Sequence, residues 1–405
     1  MNIQEASLFK KLEEISKVLE KEYPGTEDVG VLSGISGMAL FAFYYSRFTG
    51  KERYADLGSE ILSLVFERIN NGYTMHTFCA GIPGALWSME LLREEGFIDI
   101  DHDTLLRDFD DFLSGSIKRY KDINFYDFLH GVLGIGYYFL KRYRNTGSET
   151  LKKRYREELS GIIKLLGDRA EREGETCKWE SFLIRDEGLK GYNLSLSHGM
   201  SGIVSFLSRL LVHPDFYTEV RPVLEGAVGY IVQWENTAAG SSVFPGWITS
   251  AGEKSEKVRL GWCYGDLGTA LSLWHAGSAL KDDVLCEKAV QVLKHTTKRR
   301  DTEEAGVKDA GLCHGIFGIM HIYRYMYRQT GEKEFAEAAR FWQEKGLSAD
   351  IHEKGYAGYM QWRGGDISGW RAEANLLEGV AGIGLAIMAE LSPDYTKWNE
   401  CLLIG

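Results

Sequence analysis

The sequence predicts an all-α fold: an α/α toroid in which seven inner and seven outer helices form a double ring, with residues 1–405 as a single domain and small loop insertions over its mouth. Three observations predict it: a glycine phrase repeated seven times, an apolar run after each phrase with amphipathic segments between them, and the weakness of strand signals. The phrases are SGISGMAL from Ser33, AGIPGALW from Ala80, HGVLGIGY from His130, HGMSGIVS from His198, YGDLGTAL from Tyr264, HGIFGIMH from His314 and EGVAGIGL from Glu378. A lone G-x-x-G carries little. Seven of them, with first glycines at intervals of 47 to 68 residues, mark a helix pair with its connections as the repeating unit.

After the phrases come apolar runs such as ALFAFYYSRF, IGYYFLKRY and IGLAIMAEL, while ERYADLGSEILSLVFERI and KEFAEAARFWQEKGL upstream are amphipathic at helical spacing. Each repeat therefore holds one buried and one half-exposed helix. The two glycines, about one turn apart near the start of the buried helix, permit a tight entry turn and close backbone approach. Only six prolines and no long alternating stretch argue against a sheet-based barrel. An open solenoid would carry polar-faced terminal repeats. The first and last repeats here resemble the inner ones, which favours closure. The widest intervals, between repeats 3 and 4, 4 and 5, and 6 and 7, leave room for insertions, and no Ser/Gly/Pro-rich linker marks a domain boundary.

Hydrophobic residues at 44% and charged residues at 26% are ordinary for a globular protein. A net charge of -11 disfavours nucleic acid and anionic lipid, whose binding requires clustered Lys and Arg. The N-terminal stretch mixes charged pairs with Leu, Ile and Val, unlike a secretion signal, and no run approaches the roughly 20 apolar residues of a membrane span. A cytoplasmic protein without an integral membrane segment is expected. In a reducing compartment its six cysteines are free thiols or metal ligands.

If the phrases line one rim of a ring, the residues just before them converge: Ser33, Ala80, His130, His198, Tyr264, His314 and Glu378, with Cys263 and Cys313 one step back. Two thiolates and an imidazole from Cys263, Cys313 and His314 suit tetrahedral zinc, and three protein ligands leave the fourth position open, as in catalytic sites. Against this stands the ordinary fate of cysteine as a small buried residue, which is the reading adopted for Cys79, Cys177, Cys286 and Cys401. For Cys263 and Cys313, on residue types alone, both readings stay open, although their equivalent placement in two repeats weakens the second.

WCYG at Trp262–Gly265 and CHG at Cys313–Gly315 resemble the two zinc-binding signatures of the lanthionine synthetase C-like family. LSHG at Leu196–Gly199 is similar to its catalytic histidine motif and LEGVAGI at Leu377–Ile383 to its last repeat, so the resemblance runs from about residue 30 to 390. It implies an α/α toroid with one Zn²⁺ per chain held by Cys263, Cys313 and His314, His198 as the acid/base residue, Asp127 as the active-site aspartate, and Arg259 and Tyr264 lining the site. Departures are Leu267, where the family often has Pro, and Ser197, where Ala commonly precedes the histidine. Neither removes a functional group. The implied reaction adds peptide cysteine thiols to dehydroalanine or dehydrobutyrine, giving thioether rings. The implied partners are a dehydrated precursor peptide of leader plus core, a dehydratase and an exporter, through which the protein would meet the membrane peripherally. Rival readings are addition of glutathione to dehydroamino acids, a non-catalytic zinc-stabilised peptide scaffold, and a toroidal glycoside hydrolase using Glu378 and Asp127, which leaves the Cys/Cys/His set unexplained.

Overall fold

The computed structural model describes residues 3–120, 125–184, 187–236, 242–255, 257–364 and 368–405. The chain divides into two compact units, one built from residues 1–100 and 302–405 and the other from residues 101–301. The first unit contains α1 (Ile3–Glu22), α2 (Ile35–Thr49), α3 (Arg53–Asn70) and α4 (Ile82–Glu94), and then α13 (Ile316–Thr330), α14 (Lys333–Leu347) and α15 (Val380–Leu391). The second contains α5 (His102–Leu105), α6 (Arg107–Tyr120), α7 (Val132–Asn145), α8 (Glu149–Arg169), α9 (Met200–Leu211), α10 (Tyr217–Val232), α11 (Asp266–Leu280) and α12 (Asp283–Thr296).

Seven of these helices, α2, α4, α7, α9, α11, α13 and α15, each start directly after the first glycine of a phrase, and they are buried over most of their length. The helices between them, α3, α8 and α12 for example, bury one stripe only. Chain order within a repeat is thus half-exposed helix, loop, buried helix. Among the described residues seven short strands fall in the three longest intervals: β1 (Glu171–Glu173), β2 (Thr176–Lys178), β3 (Ser181–Ile184) and β4 (Leu189–Asn193) between α8 and α9, β5 (Trp247–Thr249) between α10 and α11, and β6 (Gln361–Arg363) and β7 (Gly369–Arg371) between α14 and α15. They pair antiparallel as β1-β2, β3-β4-β5 and β6-β7. With three to five residues each, they are too short to show alternation in the sequence.

In five of the seven repeats the loop before the buried helix repeats one hydrogen-bond pattern. The N–H just after the first glycine is donated to a carbonyl six residues before that glycine: Ile35 to Asp28 at 3.0 Å, Ile82 to Met75 at 2.8 Å, Val132 to Phe125 at 3.3 Å, Ile316 to Asp309 at 3.0 Å and Val380 to Glu373 at 3.1 Å. This satisfies one of the orphan donors at the helix start without a capping side chain. The second glycine explains itself by distance. A Cβ would meet the carbonyl oxygen three residues before the first glycine at 2.3 Å on Gly37, 2.0 Å on Gly84, 2.5 Å on Gly202, 2.0 Å on Gly318 and 1.8 Å on Gly382.

Neighbouring loops are stitched by their backbones. In the first unit, Leu32 and Ser33 donate to the Cys79 carbonyl, Leu312 and Cys313 donate to Leu377, and the Leu377 N–H donates to the Leu32 carbonyl at 2.9 Å. The seventh repeat therefore bonds directly to the first, and α15 packs on both α1 and α2. In the second unit, Leu196 and Ser197 donate to the Cys263 carbonyl in the same way.

Gly202→Ala should destabilise the protein by about 1–3 kcal/mol, the usual cost of overpacking. Gly161→Ala, on α8 of the same unit with nothing within 4 Å of a new Cβ, should be neutral or stabilising by up to about 1 kcal/mol. Chemical denaturation of both variants checks this, and equal stabilities would contradict the close-approach explanation.

Candidate active site and metal ligands

In the second unit the loop pattern brings Asp127, His130, His198 and Tyr264 together. Asp127 stands four residues before its glycine, and its Oδ1 accepts the His130 backbone N–H at 2.8 Å, a local turn that fixes the carboxylate. The same position does the same work in other repeats: Thr77 for Ala80, Ser195 for His198 and Asn375 for Glu378. The other oxygen, Oδ2, hydrogen-bonds His198 Nδ1. The Asp127 side chain is 8% exposed and that of His198 32%, so the pair is sheltered while the imidazole still reaches solvent. With Nδ1 held by the carboxylate, Nε2 is the nitrogen left to exchange a proton with a substrate.

Burial by itself would lower the His198 pKa. The hydrogen bond to Asp127, that carboxylate's charge and the nearby Cys263 outweigh burial and hold it above the usual imidazole value. His130 goes the other way: burial depresses its pKa, Asp127 opposes and His198 reinforces. The two rings stack with centroids 5.8 Å apart. The His130 carbonyl accepts the Tyr120 hydroxyl at 2.7 Å, which fixes this loop beside His198.

Tyr264 packs against His198 with ring centroids 6.0 Å apart. Burial raises its phenol pKa, so it is a neutral hydroxyl at ordinary pH. It stands directly before Gly265, whose φ of +107° and whose Cβ direction, 2.2 Å from the Arg259 carbonyl oxygen, admit only glycine. Arg259 is tied into the site through this backbone. Its side chain is exposed, and among the described residues no hydrogen bond or ion pair holds the guanidinium. Cys263 is 5% exposed, one residue before Tyr264, with its carbonyl locked by Leu196 and Ser197.

Cys313 and His314 lie in the first unit. Cys313 is 8% exposed and its N–H is bonded to Leu377. His314 Nε2 sits 3.2 Å from Asp309 Oδ2, and that carboxylate is 1% exposed. Asp309 also accepts the Gly311 N–H at 3.1 Å and the Trp362 N–H at 3.1 Å, so the aspartate that orients His314 is itself held by two backbone donors. Glu378 lines a crevice with Glu373, Gln361 and Tyr359. Burial raises its carboxyl pKa against the pull of Arg363, 3.6 Å away, and of His314.

Asp309 and Asn193 were not singled out from the sequence. Both stand six residues before a first glycine, and a register drawn from the repeats would have pointed to them.

A model of the family described as lanthionine synthetase C-like protein matches residues 25–403. The chain belongs to the lanthionine synthetase C-like family. Among curated proteins it is similar to the nisin biosynthesis protein NisC of Lactococcus lactis subsp. lactis, with 24% identity over 220 residues, 52% of this chain and 48% of that protein. The match thus spans about half of that relative's length. Among solved structures it is similar to nisin cyclase, with a TM-score of 0.75 and 18% identity over 98% of this chain and 96% of the other. That likeness shows the fold expected from the sequence, the α/α toroid. Among the described residues no helix of this family member is long and apolar enough to cross a membrane.

Asp127→Asn keeps an acceptor for the His130 N–H but removes the charge that offsets burial, so the His198 pKa should fall. Titration of the imidazole by NMR checks the direction, and an unchanged value would contradict the role given to Asp127.

Proposed function

We propose that this protein is a zinc-dependent lanthipeptide cyclase that adds cysteine thiols of a dehydrated precursor peptide to dehydroalanine or dehydrobutyrine, forming lanthionine and methyllanthionine thioethers. The observation that carries this reading is the Asp127–His198 pair in a family member whose sequence also retains the Cys263, Cys313 and His314 donors. We further propose that both units belong to one cyclase domain. Its partners would be the leader and core of the peptide, a dehydratase and an exporter, with the protein in the cytoplasm and near the membrane only through those partners.

Cys263, Cys313 and His314 would hold one Zn²⁺. The donor set fits, since two thiols and one imidazole are the borderline-soft ligands zinc prefers, and three of them leave a position for substrate. His314 supports the reading: Asp309 engages Nε2, which would leave Nδ1 for a metal and would supply the outer carboxylate common around ligating histidines. Bound zinc would supply activation of the peptide thiol as thiolate.

The remaining chemistry belongs to the chain's own side chains. Addition of sulfur to the β-carbon moves the alkene electron pair onto the α-carbon and its carbonyl oxygen. His198, charged through Asp127, would deliver its Nε2 proton to that α-carbon, and the proton lost by the thiol balances the reaction. Asp127 holds the ring and stabilises its charged form. Arg259, exposed beside the Gly265 turn, would meet developing negative charge or the peptide.

Metal analysis of the purified protein should give about one zinc per chain, with loss in Cys263→Ala and Cys313→Ala. A folded, zinc-free wild type would sink the reading. Asp309→Asn should weaken zinc affinity by about 10–100-fold, as loss of an outer partner does, measured by competition with a chelator. His198→Asn should keep zinc and lose about 10²–10⁴-fold in the rate of cyclisation of a dehydrated peptide, the range for a general acid. Mass spectrometry with and without glutathione separates ring closure from intermolecular addition.

A further inference from the structure

Asn193 ends β4, 7% exposed, and both halves of its amide are committed. Oδ1 accepts the Ser195 backbone N–H at 2.9 Å. That contact settles which end of the amide faces the site, because a backbone N–H can meet only the oxygen. Nδ2 is therefore the end turned to Tyr264, and it donates to the phenolic oxygen at 3.3 Å. A primary amide nitrogen has no acceptor to offer in return. The proton of the Tyr264 hydroxyl must point away from Asn193. The Tyr264 and His198 rings lie 6.0 Å apart between centroids. Ser195 joins the arrangement: its Oγ accepts the His198 backbone N–H at 3.1 Å and its hydroxyl is a second hydrogen-bond partner of the Tyr264 phenol, so one short segment, Asn193 to His198, sets both side chains.

We propose that Asn193 is a positioning residue that turns the Tyr264 hydroxyl outward as a hydrogen-bond donor to the substrate carbonyl oxygen that becomes anionic during thiol addition. This rests on the cyclase reading above. In the step, the sulfur–β-carbon bond forms, the alkene pair shifts to the α-carbon and carbonyl oxygen, Tyr264 donates a hydrogen bond to that oxygen without losing its proton, and His198 protonates the α-carbon. A donor fixed in advance costs no reorientation when charge develops, which is where such donors act on rate rather than on binding.

The test is Asn193→Asp, which keeps Oδ1 for Ser195 and the side chain's shape but replaces the donor with an acceptor, inviting the Tyr264 hydroxyl to turn inward. Expected are a fall in kcat of about 10²-fold, the lower end for loss of one such donor, KM within about twofold, and unchanged zinc content. Tyr264→Phe added to Asn193→Asp should cost nothing more, a non-additivity that a merely structural role would not produce. Undiminished kcat, or penalties that add, would overturn the proposal. If Asn193→Asp fails to fold, Asn193→Ala serves, with a kcat loss that vanishes in the Tyr264→Phe background. Neutron diffraction of perdeuterated wild type reads the hydroxyl directly: a deuteron directed away from residue 193 is expected, and one directed at it overturns the assignment whatever the turnover. A wild type that shows this orientation yet adds no thiol to dehydrated peptide would instead overturn the cyclase reading and, with it, the role in catalysis.

Discussion

The loop before each buried helix, folded back so that its own carbonyls lie against the helix start, is the constraint on which the rest depends. In five repeats the N–H after the first glycine is donated six residues back, and in six a carbonyl three residues before that glycine presses on the second glycine, as at Gly382 where a Cβ would stand 1.8 Å from the Leu376 carbonyl oxygen. Both contacts use backbone, so they tolerate any side chain between them. The positions in between are therefore available for chemistry: His130, His198, Tyr264, His314 and Glu378 all occupy the same place in the loop. A backbone-defined loop with a variable position at each repeat is how a repetitive sequence carries different side chains at equivalent places.

The same economy explains the supporting residues. Four positions before the glycine, Thr77, Asp127, Ser195 and Asn375 cap the N–H just ahead of it. At Thr77 and Asn375 that role is local. Asp127 differs because it is a carboxylate with a second oxygen to spare, and that oxygen meets His198 from the next repeat. A structural cap has become an electrostatic partner without changing its place. Asp309 and Asn193, six positions before their glycines, orient His314 and Tyr264 in a comparable way.

Electrostatics separates three histidines of similar sequence context. Each follows a buried residue and precedes a first glycine, yet His198 is raised by Asp127, His130 is depressed by burial, and His314 faces a buried carboxylate tied to two backbone donors. The differences come from what each neighbouring repeat presents, which no local pattern records.

The sequence by itself determined the repeat number, the buried helices and the candidate residues, because glycine spacing and apolar runs are local signals that backbone sterics translate directly into loops and helices. It also pointed to Cys263, Cys313 and His314, since thiol and imidazole side chains at equivalent positions speak for themselves. It did not reveal the short strands, whose three to five residues carry no period, nor Asn193 and Asp309, whose residue types are ordinary in loops. Only the tertiary structure decided that Asp127 and His198, 71 positions apart, share a hydrogen bond, that Leu377 bonds back to Leu32, and that Asn193 offers Tyr264 a donor rather than an acceptor. Those facts depend on which loops lie side by side and which end of an amide is already taken, and both are settled by packing between distant segments.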